Sequence, residues 1–528
     1  MANGGEMKKR DATRGNVCLA VLILMVLIFP AGCATTPPAY PRPSPDYAAP
    51  PRPEGVFSAM EETIKRNHGD DSSGFLLLDG NGEALQCRLA LADSARHTLD
   101  LQYYIWYADD SGLLLMKRVV DAANRGVKVR ILLDDLKVAL SKAPPYIRDK
   151  YLASIVSHPN IEIRLFNAWK SRRGAVRGAE LLGRMERLNR RMHNKQMIAD
   201  NRAAIIGGRN IADEYTGFND EFNFVDLDVL GVGPAARQAS EVFDRFWNSE
   251  WVVSARDLIE PIPEADAKAI HESVTQRLQA SKKLAGIAVE PGDWKDTCGS
   301  LEKSLSIGKS RVLTDSPDRD AISHHMPQAV REFLLSADEE VLITNSYFIP
   351  GEKAVEGLRQ GAKHGVRIRI LTNSLASQEV TAVHSHYKQW RRPLIEAGVE
   401  LYEVRPDAAI KKTRADTPPV ASKFMSMHTK SMVVDRKRVF IGSMNLDPRS
   451  YQINSEMGII VESPDLARKL AGVMELGMHP ENSWRVEIDP EGDLLWVSGA
   501  ETLTRQPARS FMQRVKDVFF VLSPKDLY

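Results

Sequence analysis

Two histidine–lysine pairs stand out by their spacing. His193-Asn194-Lys195 is followed by Asp200, then by Gly207-Gly208 and Asn210. His428-Thr429-Lys430 is followed by Asp435, then by Gly442-Ser443 and Asn445. On an extended chain, residues i and i+2 face the same way, so each set brings an imidazole and an ammonium to one place. Two such sets surround a phosphate diester with two cations and two titratable rings. That combination suits phosphodiester exchange. One ring attacks phosphorus and holds it covalently; the other protonates the leaving alcohol and then deprotonates the incoming one. The residues leave open which ring does which, with His193 the preferred nucleophile. Lys195 and Lys430, with Asn210 and Asn445, oppose the charge on the non-bridging oxygens. Asp226 and Glu456, at the start of the following strand in each half, are carboxylates suited to fixing the ring tautomers. Asp200 and Asp435 complete the catalytic signature, and are expected to support the turn that follows rather than to carry protons.

The elements that must position these residues occur twice. Leu99 to Trp106 reads as a strand, Leu113 to Asn124 as a helix, and Gly126 to Leu133 as a β-branched, alternating strand. Val341 to Ile343 with Tyr347-Phe348-Ile349, a helical segment, and Gly365 to Leu371 repeat that order. A further strand follows in each half, Ile161 to Phe166 and Val399 to Val404. From Gly126 to His193 is 67 residues and from Gly365 to His428 is 63, which points to duplication of one α/β unit. Strand, helix, strand implies a parallel unit. The two units are expected to face each other, each giving one motif to a shared cleft. Tyr103-Tyr104-Ile105-Trp106 and Tyr347-Phe348-Ile349-Pro350 end matching strands, as apolar walls of that cleft or as core.

The remaining candidates carry less. His384 and His386 lack a third ligand nearby and are expected as exposed residues at a helix start, or as substrate contacts. His324 and His325 are adjacent and diverge on any regular element. Asp213-Glu214-Tyr215 is expected to open a helix after Asn210. Residues 171–191 hold seven arginines, either a phosphate-attracting wall or a solvated helix face. Phe511, Val515, Val518 and Phe519 recur at helical spacing, with Arg514 and Lys516 nearby. They are expected to pack on the core, with a membrane surface as the other reading.

At 528 residues the chain exceeds one ordinary core and implies two domains or two halves of one. A net charge of +1 gives no global field to recruit nucleic acid, so an anionic partner needs a local patch. Four cysteines, at 18, 33, 87 and 298, make neither a disulfide framework nor a zinc site. Cys87 and Cys298 pair only if both face an oxidising compartment. Lys8, Lys9, Arg10 and Arg14 precede an apolar run from Val17 to Phe29, an export signal too short for a bilayer span. Ala31-Gly32-Cys33 resembles a bacterial lipobox, which implies lipidation of Cys33, with an uncleaved anchor and plain secretion as the alternatives. Ala34 after it implies the outer membrane by the same resemblance. Pro30 departs from the pattern. Residues 34–55, with eight prolines, read as an extended tether. The expected organisation is 1–33 anchor, 34–55 tether, 56–290 first half and 291–528 second half.

The doubled motif resembles the signature of the phospholipase D superfamily, from about residue 56 onward. Gly207-Gly208-Arg209-Asn210, Ser346-Tyr347-Phe348-Ile349-Pro350-Gly351, Gly442-Ser443-Met444-Asn445 and Ser455-Glu456 are similar to the bacterial cardiolipin synthase branch, and within it to the C type. The resemblance implies two tandem α/β/α sandwich repeats in a pseudo-twofold pair around one site. It implies phosphatidyl transfer between phospholipids through a phosphatidyl-histidine, with no metal or other cofactor. The expected partners are phospholipids and a membrane surface, not nucleic acid. Resolution of the intermediate by water, giving phosphatidate, is the first alternative. A nuclease of the same superfamily is the second.

Overall fold

The computed structural model describes residues 40–135, 145–169, 185–318 and 321–522. The export signal, Cys33 and residues 170–184 of the arginine-rich stretch lie outside the described residues.

The first half supplies strands β1 (Ser73–Leu78), β2 (Thr98–Tyr103), β3 (Lys128–Asp134), β4 (Ile161–Phe166), β5 (Gln196–Ala199), β6 (Ala203–Gly207), β7 (Phe222–Val225), β8 (Asp228–Val232) and β9 (Val252–Ser254). Then come β10 (Ser306–Thr314) and a small hairpin, β11 (Ser316–Pro317) with β12 (Ile322–Ser323). The second half continues with β13 (Glu340–Asn345), β14 (Arg367–Asn373), β15 (Glu400–Val404), β16 (Phe424–Met427), β17 (Lys430–Val434), β18 (Arg438–Gly442), β19 (Met457–Glu462), β20 (Ser483–Ile488), β21 (Leu494–Ser498) and β22 (Glu501–Leu503).

Pairing makes the duplication explicit. In the first half the spatial order is β1-β8-β6-β5-β2-β3-β4-β9. In the second it is β10-β19-β18-β17-β13-β14-β15-β20, strand for strand the same. Within each, the predicted strand–helix–strand units are parallel (β2 with β3 and β4; β13 with β14 and β15). β3 is buried on both faces over nearly its whole length, as parallel strands under helices are. The halves do not merely face each other. β1 and β10, equivalent strands, pair antiparallel through Ser73–Phe75 and Ser306–Gly308, so one mixed sheet runs through both.

Each half keeps its own apolar core. A third cluster is shared. The helices Pro234–Trp247 and Pro464–Met478, which follow β8 and β19, place Phe243, Phe246 and Trp247 with Leu466, Leu470 and Met474. Phe75, Val229, Val433 and Val461 of the sheet join them. Burial of that many large apolar side chains, about 1.5–3 kcal/mol each, fixes the halves against one another.

Two regions differ in detail from expectation. Residues 40–54 contain no helix or strand but are hydrogen-bonded along the first half. The backbone N–H groups of Asp46 and Ala48 donate to Asn248 and Asp244, and Arg130 and Arg202 donate to the carbonyls of Asp46 and Arg52. His384 and His386 are buried rather than exposed. His384 Nδ1 lies 2.7 Å from Asp517 and its Nε2 lies 2.8 Å from Arg391, so its role is to tie the C-terminal helix to the second half.

Candidate functional site

The hairpin after each motif explains its aspartate. Asp200 and Asn201, and likewise Asp435 and Arg436, adopt positive φ between 51° and 54°. Asp and Asn tolerate this left-handed region better than most residues. The Asp200 carboxylate accepts from the backbone N–H groups of Arg96, His97 and Thr98 at 2.7–3.2 Å, at the start of β2. Asp435 accepts from Asp338, Glu339 and Glu340 at 2.8–3.1 Å, at the start of β13. Both aspartates therefore tie the hairpin to the neighbouring strand, at the far end of that hairpin from the rings.

The histidines sit just before β5 and β17, in extended chain, each laid alongside the other half. His193 N–H donates to Ser455 O at 2.9 Å, and Met192 and Ser455 form a parallel bridge. In the second half β16 pairs parallel with β7, and His428 N–H donates to Val225 O at 2.8 Å. These seams bring each ring against the carboxylate of the opposite half. His193 Nδ1 is 2.8 Å from Glu456 Oε2, and His428 Nδ1 is 2.7 Å from Asp226 Oδ2. The sequence singled out both carboxylates, but not this crossing. Asp226 lies between β7 and β8, and Glu456 one residue before β19.

Gly208, just after β6, makes room for one of those carboxylates. A Cβ on Gly208 would lie 2.7 Å from Asp226 Oδ1. Its counterpart is Ser443, whose hydroxyl instead donates to Glu456, joined by Ser450 at 2.9 Å. Arg209 is fully buried and donates to Asp228 and, at 2.7 Å, to the carbonyl of Asp226, fixing the backbone of that acid. Ser443, Ser450 and Arg209 were not assigned roles from sequence, although two of them lie inside the quoted motifs.

Both lysines turn back toward the rings: Lys195 Nζ donates to His193 O and Lys430 Nζ to His428 O. Lys430 also donates to Ser346 Oγ at 3.0 Å, which donates to Asn445 Oδ1 at 3.1 Å. Asn210 Oδ1 accepts from Ile105 N–H at 3.1 Å. Of the aromatic strand ends, one residue each reaches the site. Tyr104 lies edge-on to His193 at 5.1 Å, with Lys195 Nζ 5.5 Å above its ring. Tyr347 lies edge-on to His428 at 6.4 Å, with Lys430 Nζ 6.0 Å from its ring. Tyr103 and Phe348 belong to the core. Tyr215 and Phe224 add two more rings about 5 Å from His428.

Burial sets the charge states. It depresses His193 well below the usual histidine range, assisted by Lys195 and Lys430. It pushes His428 down to about 3, again helped by Lys430. Burial also lowers Lys195 to about 7 and Lys430 to about 8. The two carboxylates differ. Burial opposes the charge on Asp226, but His428, Lys430 and Arg209 outweigh it and hold the carboxyl well below its usual range. Burial raises Glu456 to about 8 despite Lys195 and the two serine donors. The resting site thus holds neutral rings, an ionised Asp226, and cations poised to complement an anion. Among the described residues no three His, Cys, Asp or Glu side chains cluster as metal ligands.

A family model described as cardiolipin synthase, PLD-like domain, matches residues 89–247 and 330–476, one stretch in each half. The chain belongs to this family. It is a phosphatidyltransferase of the phospholipase D superfamily. Cardiolipin synthase C of Escherichia coli (strain K12) is 37% identical over 453 residues, spanning 84% of this chain and 93% of that protein. Cardiolipin synthase B of the same strain is 24% identical over 70% of this chain and 71% of its own length. The crystal structure of phosphatidylserine synthase from Haemophilus influenzae Rd KW20 superposes with a TM-score of 0.51 at 12% identity, covering 80% of this chain and 89% of that one. That likeness concerns the fold.

The titrating groups give the family chemistry a pH signature. As pH rises through 7 to 8, Lys195 and Lys430 lose protons and Glu456 becomes a carboxylate. Each change removes positive charge from a site that takes an anionic diester. We therefore expect kcat/KM to fall on the alkaline side with an apparent pKa between about 7 and 8. Bound phosphate favours the charged lysines, so the limb in kcat should lie higher, since kcat reports the complex and kcat/KM the free enzyme. A profile flat from pH 6 to 9 in both parameters would show that none of the three groups titrates there.

Proposed function

We propose that this chain joins two phospholipids into cardiolipin through a phosphatidyl-histidine, with His193 and His428 as the nucleophile and acid–base pair. The observation that carries it is the crossed pairing of each ring with a buried carboxylate of the other half. One Nε2 attacks phosphorus, and the headgroup alcohol leaves with the Nε2 proton of the second ring, which takes up that proton as the anionic diester binds and is held as an imidazolium by its carboxylate. That ring then deprotonates the hydroxyl of the acceptor, which takes the phosphatidyl group and frees the first ring. Lys195, Lys430, Asn210 and Asn445 hold the phosphate oxygens. Mapping a quenched adduct assigns the attacking ring: His193 on the sequence preference, His428 if the roles are exchanged.

Transfer rather than hydrolysis requires that water be kept from the intermediate while an alcohol is held close. Tyr104, Tyr347, Tyr215 and Phe224 supply apolar walls around the rings. Purified enzyme given phosphatidylglycerol, with or without phosphatidylethanolamine, should make cardiolipin as its main product. Tyr347→Ala should divert the intermediate toward phosphatidate while donor cleavage persists. Phosphatidate as the sole product of the wild type, from every mixture, would instead establish the hydrolase, and cleavage of DNA but no lipid the nuclease.

Membrane attachment follows from an insoluble substrate. Among the described residues no helix is long and apolar enough to cross a membrane. We assign the anchor to lipidation of Cys33, at the outer membrane on the strength of Ala34. Cys33→Ser should leave a larger precursor without labelled fatty acid; maturation to the wild-type mass would remove the assignment.

A further inference from the structure

The C-terminal helix is built inside out for a soluble surface. Phe511, Val515, Val518 and Phe519 read from sequence as packing on the core, with a membrane surface as the other reading. Instead Gln513 and Asp517 face inward and are buried. Gln513 Nε2 donates to Leu375 O at 2.5 Å. Asp517 receives Lys388 at 2.8 Å and Gln506 at 3.1 Å, besides its contact with His384. These polar ties consume the inward face, so rotation of the helix to hide its apolar residues would break them all. Outward stand Phe511 (79% exposed), Val518 (69%) and Phe519 (69%), with Met512, Val515 and Val521. Of the nine large hydrophobic side chains exposed among the described residues, six lie on these eleven positions. Scattered exposed hydrophobics are ordinary; a concentrated patch marks an interaction surface. Exposed Lys516 borders it, which suits an anionic lipid surface.

The patch also leads to the site. Gln513 holds the segment whose next residues are Gln378 and Glu379. Glu379 accepts from Tyr347 Oη and, at 2.7 Å, from Ser426. Tyr347 is the ring beside His428. Arg509, just before the helix, lies 3.6 Å from the centre of the Phe424 ring on the β16 seam that carries His428.

We propose that the helix Phe511–Phe519, with Val521, is an interfacial element that dips its apolar face into the phospholipid bilayer beside the His428 half of the site. This rests on the phospholipid reading above. A diacyl substrate is then drawn from the same leaflet that the helix enters, without crossing water. Two readings of the full chain test it. Turnover is compared on phosphatidylglycerol vesicles and on the same lipid dispersed in detergent micelles. Phe511→Asp/Val518→Asp should lower vesicle turnover at least ten-fold and leave micelle turnover within two-fold. Independently of turnover, an environment-sensitive fluorophore is attached at Val518→Cys in a chain whose Cys18 and Cys33 are replaced by Ser; Cys87 and Cys298 are buried and compete poorly for it. Vesicles with brominated acyl chains should quench it. An unquenched probe on protein that sediments with vesicles overturns the proposal. So does burial of the probe on raising protein concentration without lipid, which would make the patch an interface between two copies. Equal loss on vesicles and micelles would likewise make the face structural. Absence of turnover on every lipid would defeat the proposed function, and the probe would still decide the surface.

Discussion

Replacing either His193 or His428 by Ala should lower turnover by roughly 10²- to 10⁴-fold or more. On the proposed mechanism one site needs both a nucleophile and a proton donor, and the two come from different halves. The rings cannot substitute for each other. Each is held at Nδ1 by its own carboxylate, and each has its own lysine turned back on its backbone. Losing the nucleophile abolishes the covalent route. Losing the acid leaves a poor leaving alcohol on phosphorus. The double variant should be little slower than the slower single one, because residues acting as a unit are strongly non-additive. Single-turnover assays on labelled donor would measure this directly. Near-normal turnover by His428→Ala, or losses that multiply in the double variant, would mean two independent sites rather than one shared one.

Much of that site was legible in the sequence because duplication writes the same information twice. His193 and His428, their lysines, the Gly-Gly or Gly-Ser pair and the asparagines recur at one offset, and a β strand converts i and i+2 into a shared direction. That Asp200 and Asp435 sit at a turn was legible too, since a short polar residue directly after a strand tolerates the left-handed backbone a tight turn needs; their backbone donors, such as His97 and Glu339, lie 103 and 96 residues upstream and were not. The crossing of the carboxylates was not. His193 and Glu456 are 263 residues apart and His428 and Asp226 are 202 apart, so no local spacing encodes which acid meets which ring. Only the seams of Met192 with Ser455 and of β7 with β16 decide it. The joining of the halves through β1 and β10 was hidden for the same reason. The C-terminal helix teaches a different lesson. Its period separates an apolar from a polar face, but period alone does not say which face turns inward. Asp517, reaching His384 133 residues upstream, settles that. The same bond explains why His384 is buried although its own neighbourhood looks like an exposed helix start.

The crossed pairs make a second large effect accessible through a residue that never touches substrate. Asp226 uses its two oxygens differently: Oδ1 accepts from the backbone N–H of Leu227 at 2.8 Å, and Oδ2 meets His428 Nδ1. In Asp226→Asn the amide oxygen stays with the Leu227 donor. The amide NH2 is then left facing the ring and can only donate. Nδ1 must become the acceptor, which moves the ring proton to Nε2, the nitrogen that faces the reacting phosphate. A ring in that tautomer can neither attack nor take a proton, and the charge that would stabilise its imidazolium is gone. Turnover should fall by roughly 10²- to 10⁴-fold while the fold persists, since the side chain keeps its shape. Adding Asp226→Asn to His428→Ala should cost little more, because both act on one ring. The low-field imidazole N–H resonances give a readout that a merely structural role would not move. Asp226→Asn should abolish the Nδ1–H signal of His428 and leave that of His193, and Glu456→Gln, compared at a pH above about 8 where Glu456 is a carboxylate, should do the reverse. Loss of the His193 signal in Asp226→Asn, or a fall in turnover of less than ten-fold, would show that the carboxylates do not serve the opposite half's ring.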